Sequence, residues 1–187
     1  MGFESVETVY GPMPAYLSCA TLQDLCVDDG IQTGPFGSQL HQKDYVPRGT
    51  PIITVEHLGE NRIVHSNLPQ VSDDDKARLS KYVLKTGDIV FSRVGSVDRR
   101  ALVMPAEDGW LFSGRCLRVR PDVRLLDARW LSYFFGLPAF KNYIRGIAVG
   151  ATMPSINTKI LSDIPIYFPG LAMQREAALI LAQLAGR

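Results

Sequence analysis

The chain has 187 residues, 46% of them hydrophobic, a mean hydropathy of +0.03 and a formal net charge of +1, which is ample material for one cored domain with a short appendage. No apolar run approaches the roughly eighteen residues of a membrane span, and no basic region followed by an apolar stretch marks a secretory leader. Cys19, Cys26 and Cys116 lack the paired spacing of zinc sites, and His41, His57 and His65 share no ligand spacing; the reading is a cytoplasmic protein with reduced thiols and neither metal nor cofactor.

Residues 1–20 are punctuated by Gly11, Pro12 and Pro14 and read as a loosely held lead-in. Thr21-Leu22-Gln23-Asp24 is a capping box that predicts a short helix through Cys26. The stretch from Ile31 to Leu40 follows, a loop in which two glycines flank Pro35-Phe36, so that the backbone turns sharply while the Phe36 ring fills space beneath it. Gly37 lets the backbone come close to something, and Ser38, Gln39, Lys43 and Tyr45 supply donors and acceptors suited to a hydrogen-bonding surface. The alternative is an ordinary tight turn between a strand and a core element. Thr50–Val55 is β-branched and predicts a buried strand, with Arg62–Val64 as a short partner. Ser72 caps a helix over Asp73–Tyr82, with acids in its first turn where the helix dipole favours them. That accounts for Asp73-Asp74-Asp75 without a metal.

Four strands are predicted next, over Gly87–Arg93, Ala101–Met104, Trp110–Ser113 and Cys116–Arg120, joined by hairpin-sized linkers. Asp127 then caps a helix to Phe135, and Pro138 opens a second one to Ile147; their aromatic residues Trp130, Tyr133, Phe140 and Tyr143 read as core. A second polar loop covers Gly150–Asn157. Ile164–Pro169 is an edge-type strand because of its prolines, and Leu171–Leu184 is helical. The fold class is α+β, a curled, mainly antiparallel sheet with flanking helices. Residues 21–170 form the domain and 171–187 the start of a closing helix.

Charge distribution says more than the sum. Arg93, Arg99, Arg100, Arg115, Arg118 and Arg120 are opposed over that stretch only by Asp98, Glu107 and Asp108, so one face can be basic; the alternative is arginines alternating outward from ordinary strands. No dinucleotide loop, P-loop, nucleophile elbow, HExxH or adenine-methylation signature is present. For an enzyme of unrecognised type, His41, His57 and Asp88 are the least implausible actors.

Taken together, Ile31–Ser38 with Tyr45 and Gly49, Gly87–Arg93 with Gly95, and Gly150–Asn157 followed by Ile164-Pro165, Pro169-Gly170-Leu171 and Gln174 resemble the target-recognition domain of Type I restriction-modification specificity subunits. The resemblance covers about residues 21–184 and implies recognition of a short double-stranded DNA sequence without catalysis. It further implies partners: methyltransferase subunits that modify adenine with S-adenosylmethionine, and a restriction subunit. A full subunit of this family carries two such domains on long spacer helices, so the chain reads as a half-subunit that forms a homodimer through its C-terminal helix, or as an excised domain.

On that resemblance, Arg93, Ser96, Arg99 and Arg100 are the first choice for insertion into a groove, where an arginine grips guanine O6 and N7. Arg115 is a second base reader, and Gln39 suits adenine. Ser38, Lys43, Tyr45, Lys141 and Arg145 are phosphate contacts that set register. Asp98 orients Arg99 or Arg100, or accepts from cytosine. Thr152, Ser155 and Asn157 contact the DNA backbone or tie their loop to the domain, the second being the stronger reading. The competing function is a protein-interaction module whose Arg-rich hairpins dock an acidic partner.

Overall fold

A computed structural model describes residues 3–186; Met1 and Gly2, at the start of the expected lead-in, and Arg187, at the end of the expected closing helix, lie outside the described residues. The lead-in is not loose. Strands β1 (Ser5–Thr8) and β2 (Gly11–Pro14) form an antiparallel hairpin. Tyr10 at its turn donates its hydroxyl to Pro165 O at 2.7 Å and packs edge-on against Phe134 and Tyr143. Strand β3 (Ser18–Thr21) follows, then a single 3-10 turn at Gln23–Leu25, where Asp24 N donates to Thr21 Oγ1.

The central sheet starts with β4 (Cys26–Thr33). Next come β5 (Tyr45–Ile53), β6 (Gln70–Val71) and helix α1 (Asp73–Arg78), whose cap is the Ser72 hydroxyl accepting from Asp75 N at 3.1 Å. Strands β7 (Ile89–Ser92), β8 (Arg100–Leu102), β9 (Leu111–Phe112) and β10 (Cys116–Pro121) complete the middle of the chain. The order β4-β10-β7-β8 is antiparallel throughout. Side chains alternate across it: Ile89, Phe91, Leu117 and Val119 enter one apolar cluster, and Val90, Ala101 and Cys116 enter another. Both faces are therefore covered, and the molecule is three layers thick.

Helices form one outer layer. Asp127 Oδ1 accepts from Arg129 N and Trp130 N to cap α2 (Ala128–Phe134), and α3 (Pro138–Ile147) begins on its proline. Phe140 is buried, with Trp130 and Tyr143 packed against the same cluster. Helix α4 (Thr158–Ser162), capped by Asn157 Oδ1 accepting from Ile160 N at 2.8 Å, was not expected; five residues carry too little periodicity to read. Strand β11 (Pro165–Phe168) pairs with β3, and α5 (Leu171–Ala185) packs on α2.

The other outer layer corrects two expectations. The partners of β5 are β6, antiparallel, and β9, parallel with Ile52 opposite Leu111, not Arg62–Val64; Ile63 only bridges Leu58. Strand β9 is accordingly not a rung of an antiparallel meander. Among the described residues no helix is long and apolar enough to cross a membrane.

Candidate nucleic-acid interface

Register fixes what lies together. Thr33 is opposite Leu117, Cys116 opposite Ser92, and Phe91 opposite Arg100. The segment leaving β4, the turn entering β10 and the β7–β8 hairpin therefore emerge at one end of the central sheet. The Gly150–Asn157 loop joins them there: Ser155 bridges Val94, Ile156 N donates to Arg93 O at 2.9 Å, and Gly95 N donates to Pro154 O at 2.8 Å. Four segments singled out for different reasons share one rim.

Glycine lets them touch. A Cβ on Gly34 would stand 2.1 Å from Ser113 O, and one on Gly114 would stand 2.5 Å from Phe36 Cβ and 2.6 Å from Pro35 O. Only a residue without a side chain permits that approach. Between the clamped loops opens a groove of about 280 Å³ lined by Phe36, Tyr45, Thr54, Arg93 and Arg115 among others. Past Tyr45, Thr54 and Arg115 it continues into a wider hollow of about 620 Å³ that reaches Gln42, Asn67 and Gln70, with Glu56 the acid in its lining.

Arg93 donates Nε to Gly114 O at 2.9 Å, which anchors the guanidinium at the groove wall. Arg115 is exposed, and among the described residues neither arginine has an acidic partner. Burial, then the neighbouring Asp44 charge, push the Tyr45 phenol above its ordinary value, so at neutral pH it stays a donor. The wall thus offers two cations, a phenol and amides to an acceptor-rich surface.

Ser38, Lys43 and Ser96 are exposed on the loops that frame this end. Gln39 is committed elsewhere: its Oε1 accepts from the Tyr82 hydroxyl at 3.0 Å, and its carbonyl from Arg78 at 2.7 Å. Arg99 is tied to Leu58 O at 2.7 Å. Arg100 is a correction. It is 2% exposed, with Nε on Ser132 O and Nη1 on Glu60 Oε1 at 2.6 Å, so it holds α2 to the sheet and faces no groove. Lys141 joins the same carboxylate at 3.2 Å, and Asp98 pairs with Arg145 at 2.6 Å instead of with Arg99 or Arg100. Thr152 is exposed; Asn157 caps α4 and Ser155 bonds back to Val149, which ties their loop to the domain.

Arg118 and Arg120 also turn inward, the first to Asp29 O and Lys81 O, the second in a fork on Asp88 at 2.7 Å. A basic face of six arginines reduces to Arg93 and Arg115, with Arg99 at its margin. The Arg-rich docking surface of the interaction-module reading loses its basis by the same contacts. Of the residues named for the enzyme alternative, Asp88 sits at the opposite end of β7 from the rim, His57 is buried against Thr54 and Ser66 under the wider hollow, and His41 is exposed with its backbone N donating to Asp44. Phe36 is a further correction: the residue is 63% exposed, so its ring does not fill the space beneath the loop. Gln42, Thr54 and Asn67 were missed. Gln42 stood beside Lys43 in the sequence, whereas Thr54 and Asn67 arrive only through the course of β5 and the loop after it.

A family model for the Type I restriction modification DNA specificity domain matches residues 24–186. The putative type I restriction enzyme MjaX specificity subunit of Methanocaldococcus jannaschii is 28% identical over 180 residues, which are 94% of this chain and 41% of that protein. The MjaVIII specificity subunit of the same organism is 22% identical over 152 residues, 79% of this chain and 35% of the relative. Among solved structures, the HsdS subunit from Thermoanaerobacter tengcongensis superposes with a TM-score of 0.63 at 16% identity, over 93% of this chain and 38% of that one. A chain from work on complex assembly and conformational transition of the type I R-M system gives 0.70 at 19%, over 93% and 39%. The chain spans about two-fifths of the length of the relatives it matches, and these structural likenesses are likenesses of fold. With the family model covering all but the N-terminal hairpin, β3 and the extreme C-terminus, the chain belongs to the Type I restriction-modification DNA specificity domain family.

Proposed function

We propose that this chain recognises a short duplex DNA sequence as the target-recognition part of a Type I specificity subunit. It carries no chemical step itself and positions adenine methyltransferase subunits, and with them a restriction subunit, in the cytoplasm. The observation that supports this reading best is the gathering of the Gly34–Tyr45 loop, the Arg93–Arg99 hairpin and the Ser113–Arg115 turn around one groove flanked by Arg93 and Arg115. Either arginine grips guanine O6 and N7 in a fork worth about 1–3 kcal/mol against the wrong base. Gln42, whose amide makes no hydrogen bond among the described residues, replaces Gln39 as the adenine reader. Ser38 and Lys43 hold phosphates and fix register.

Residues 1–20 act as a lead-in that caps the domain, 21–170 as the recognition domain, and 171–187 as the start of a spacer helix. Gln174 anchors that helix by donating to Leu125 O and Pro169 O and accepting from Asp127 N, at the end of the sheet away from the groove. Subunits recruited along the spacer therefore do not compete with DNA. Half-exposed Leu179, Ile180 and Leu184 give α5 an apolar face for a second copy of the chain.

Selection of bound duplexes from a random pool tests the reading. Wild type should enrich one short motif, Arg115→Ala should relax a single position of it, and Lys43→Ala should weaken every sequence alike. Equal, uniform losses in both variants would count against the proposed roles, and enrichment of nothing would remove DNA recognition altogether.

A further inference from the structure

This rim turns Val149, Met153 and Phe36 toward solvent, and of these Phe36 lines the groove, on a backbone that is held fast. The residue is 63% exposed, yet its Cα and Cβ lie against Gly114 so closely that even a methyl there would collide, at 3.0 and 2.5 Å. The next residue, Gly37, turns the chain at φ +62°, and a Cβ added to it would meet nothing within 4 Å, so the chain at that point faces open space. Scattered exposed apolar side chains need no explanation. Here the backbone that carries the ring is packed against Gly114, and the residue lies at the groove that Arg93 and Arg115 flank. An aromatic side chain on a fixed backbone has only two torsions left to order on binding. It has no hydrogen bond to offer a base edge, so its contribution to a duplex is contact with an apolar face.

We propose that Phe36 is a wedge that enters a base step of the bound duplex and partly unstacks it, so that the target is chosen by deformability at that step as well as by the base edges that arginines read. This rests on the DNA-recognition reading above. Apolar wedges of this kind unstack a step and bend the duplex, and steps differ in what such unstacking costs. The resulting preference would fall at a position where no polar side chain touches a base.

The test uses the full chain and duplexes carrying the enriched motif, with 2-aminopurine placed in turn at each position. Wild type should raise 2-aminopurine emission at one step. Phe36→Ala should abolish that rise and lower affinity about tenfold, in line with loss of one base contact of 1–3 kcal/mol, while its urea midpoint stays with wild type because the residue is exposed. Phe36→Trp should restore the emission. The wedge is overturned if Phe36→Ala keeps the emission and the affinity, or if its loss of affinity appears only for duplexes with thymine and vanishes when uracil replaces it, which would make Phe36 a reader of the thymine methyl group. Failure of wild type to bind any duplex would sink the DNA reading and the wedge together, whereas a wild type that binds its motif with no change in emission at any step would sink the wedge alone.

Discussion

Arg100 and Glu60 form an ion pair with very unequal surroundings, the arginine side chain 2% exposed and the glutamate side chain 72%. Removing the arginine leaves no stranded charge, because Glu60 is already in water; what is lost is the charged hydrogen bond to Ser132 O and the packing of the stem. Arg100→Ala should therefore lower stability by about 2 kcal/mol, read from the urea midpoint, without altering which duplex is selected. An effect on sequence preference with unchanged stability would return Arg100 to the interface. The carboxylate carries a pH signature of the same pair. Partial burial raises its pKa, but hydrogen bonds and charge from Arg100 and then Lys141 outweigh that and hold it below the ordinary 4.5. A depressed carboxylate stabilises the fold above its unfolded value, and that stabilisation disappears as the pH falls through the lower folded value. Carboxyl NMR should show a Glu60 midpoint below 4.5 in wild type and a return toward it in Arg100→Ala. Nothing in the sequence separates Arg100 from Arg93. Both flank one hairpin, and which one faces the core follows from where α2 lies over the sheet, a long-range fact that spacing does not carry.

Elements with a local cause were legible, and elements with only a tertiary cause were not. The caps at Ser72 and Asp127, the proline that opens α3 and the strand entered from Gly87-Asp88 each declare themselves within four or five residues. Strand β9 has two residues and a parallel partner nearly sixty positions away, so no pattern within it could announce the pairing. The β1–β2 hairpin was hidden by Pro12 and Pro14, which an edge strand tolerates and a central one does not. Gly34 and Gly114 fall between: the sequence marks a turn, and only the fold shows that the two turns are pressed together. Gly114→Ala places a methyl 2.5 Å from Phe36 Cβ and 2.6 Å from Pro35 O. Overpacking of this kind costs about 1–3 kcal/mol, and relief comes most readily by lifting the loop off the turn. The variant should accordingly lose affinity for every duplex, with faster amide exchange over Gly37–Gln39 and the protected core of β7 and β10 unchanged. Core exchange that accelerates as much as the loop would mean that the clamp holds the fold and not just the rim.

For the molecule as a whole, a net charge of +1 sets a bound on how it can hold DNA. A protein that relies on a broad cationic face releases many counterions and binds any sequence; here Arg100, Arg118 and Arg120 are spent on internal contacts, and Arg145 and Lys141 on Asp98 and Glu60. Around the groove few cations are left to neutralise phosphates, chiefly Lys43 with one or two of the rim arginines. Each neutralised phosphate contributes about −0.9 to the slope of log K against log salt, so three of them give a slope no steeper than about −3. Between 50 and 200 mM salt the affinity of the isolated chain should then fall by no more than roughly fiftyfold, and Lys43→Ala should flatten the slope by about one further unit while leaving the selected motif as it was. A slope near −10, with no preference among sequences, would mean that the domain binds as a generic basic surface and that the groove is not where it reads. With so little charge held at the groove, the chain alone should be a weak binder of DNA whose discrimination exceeds its grip.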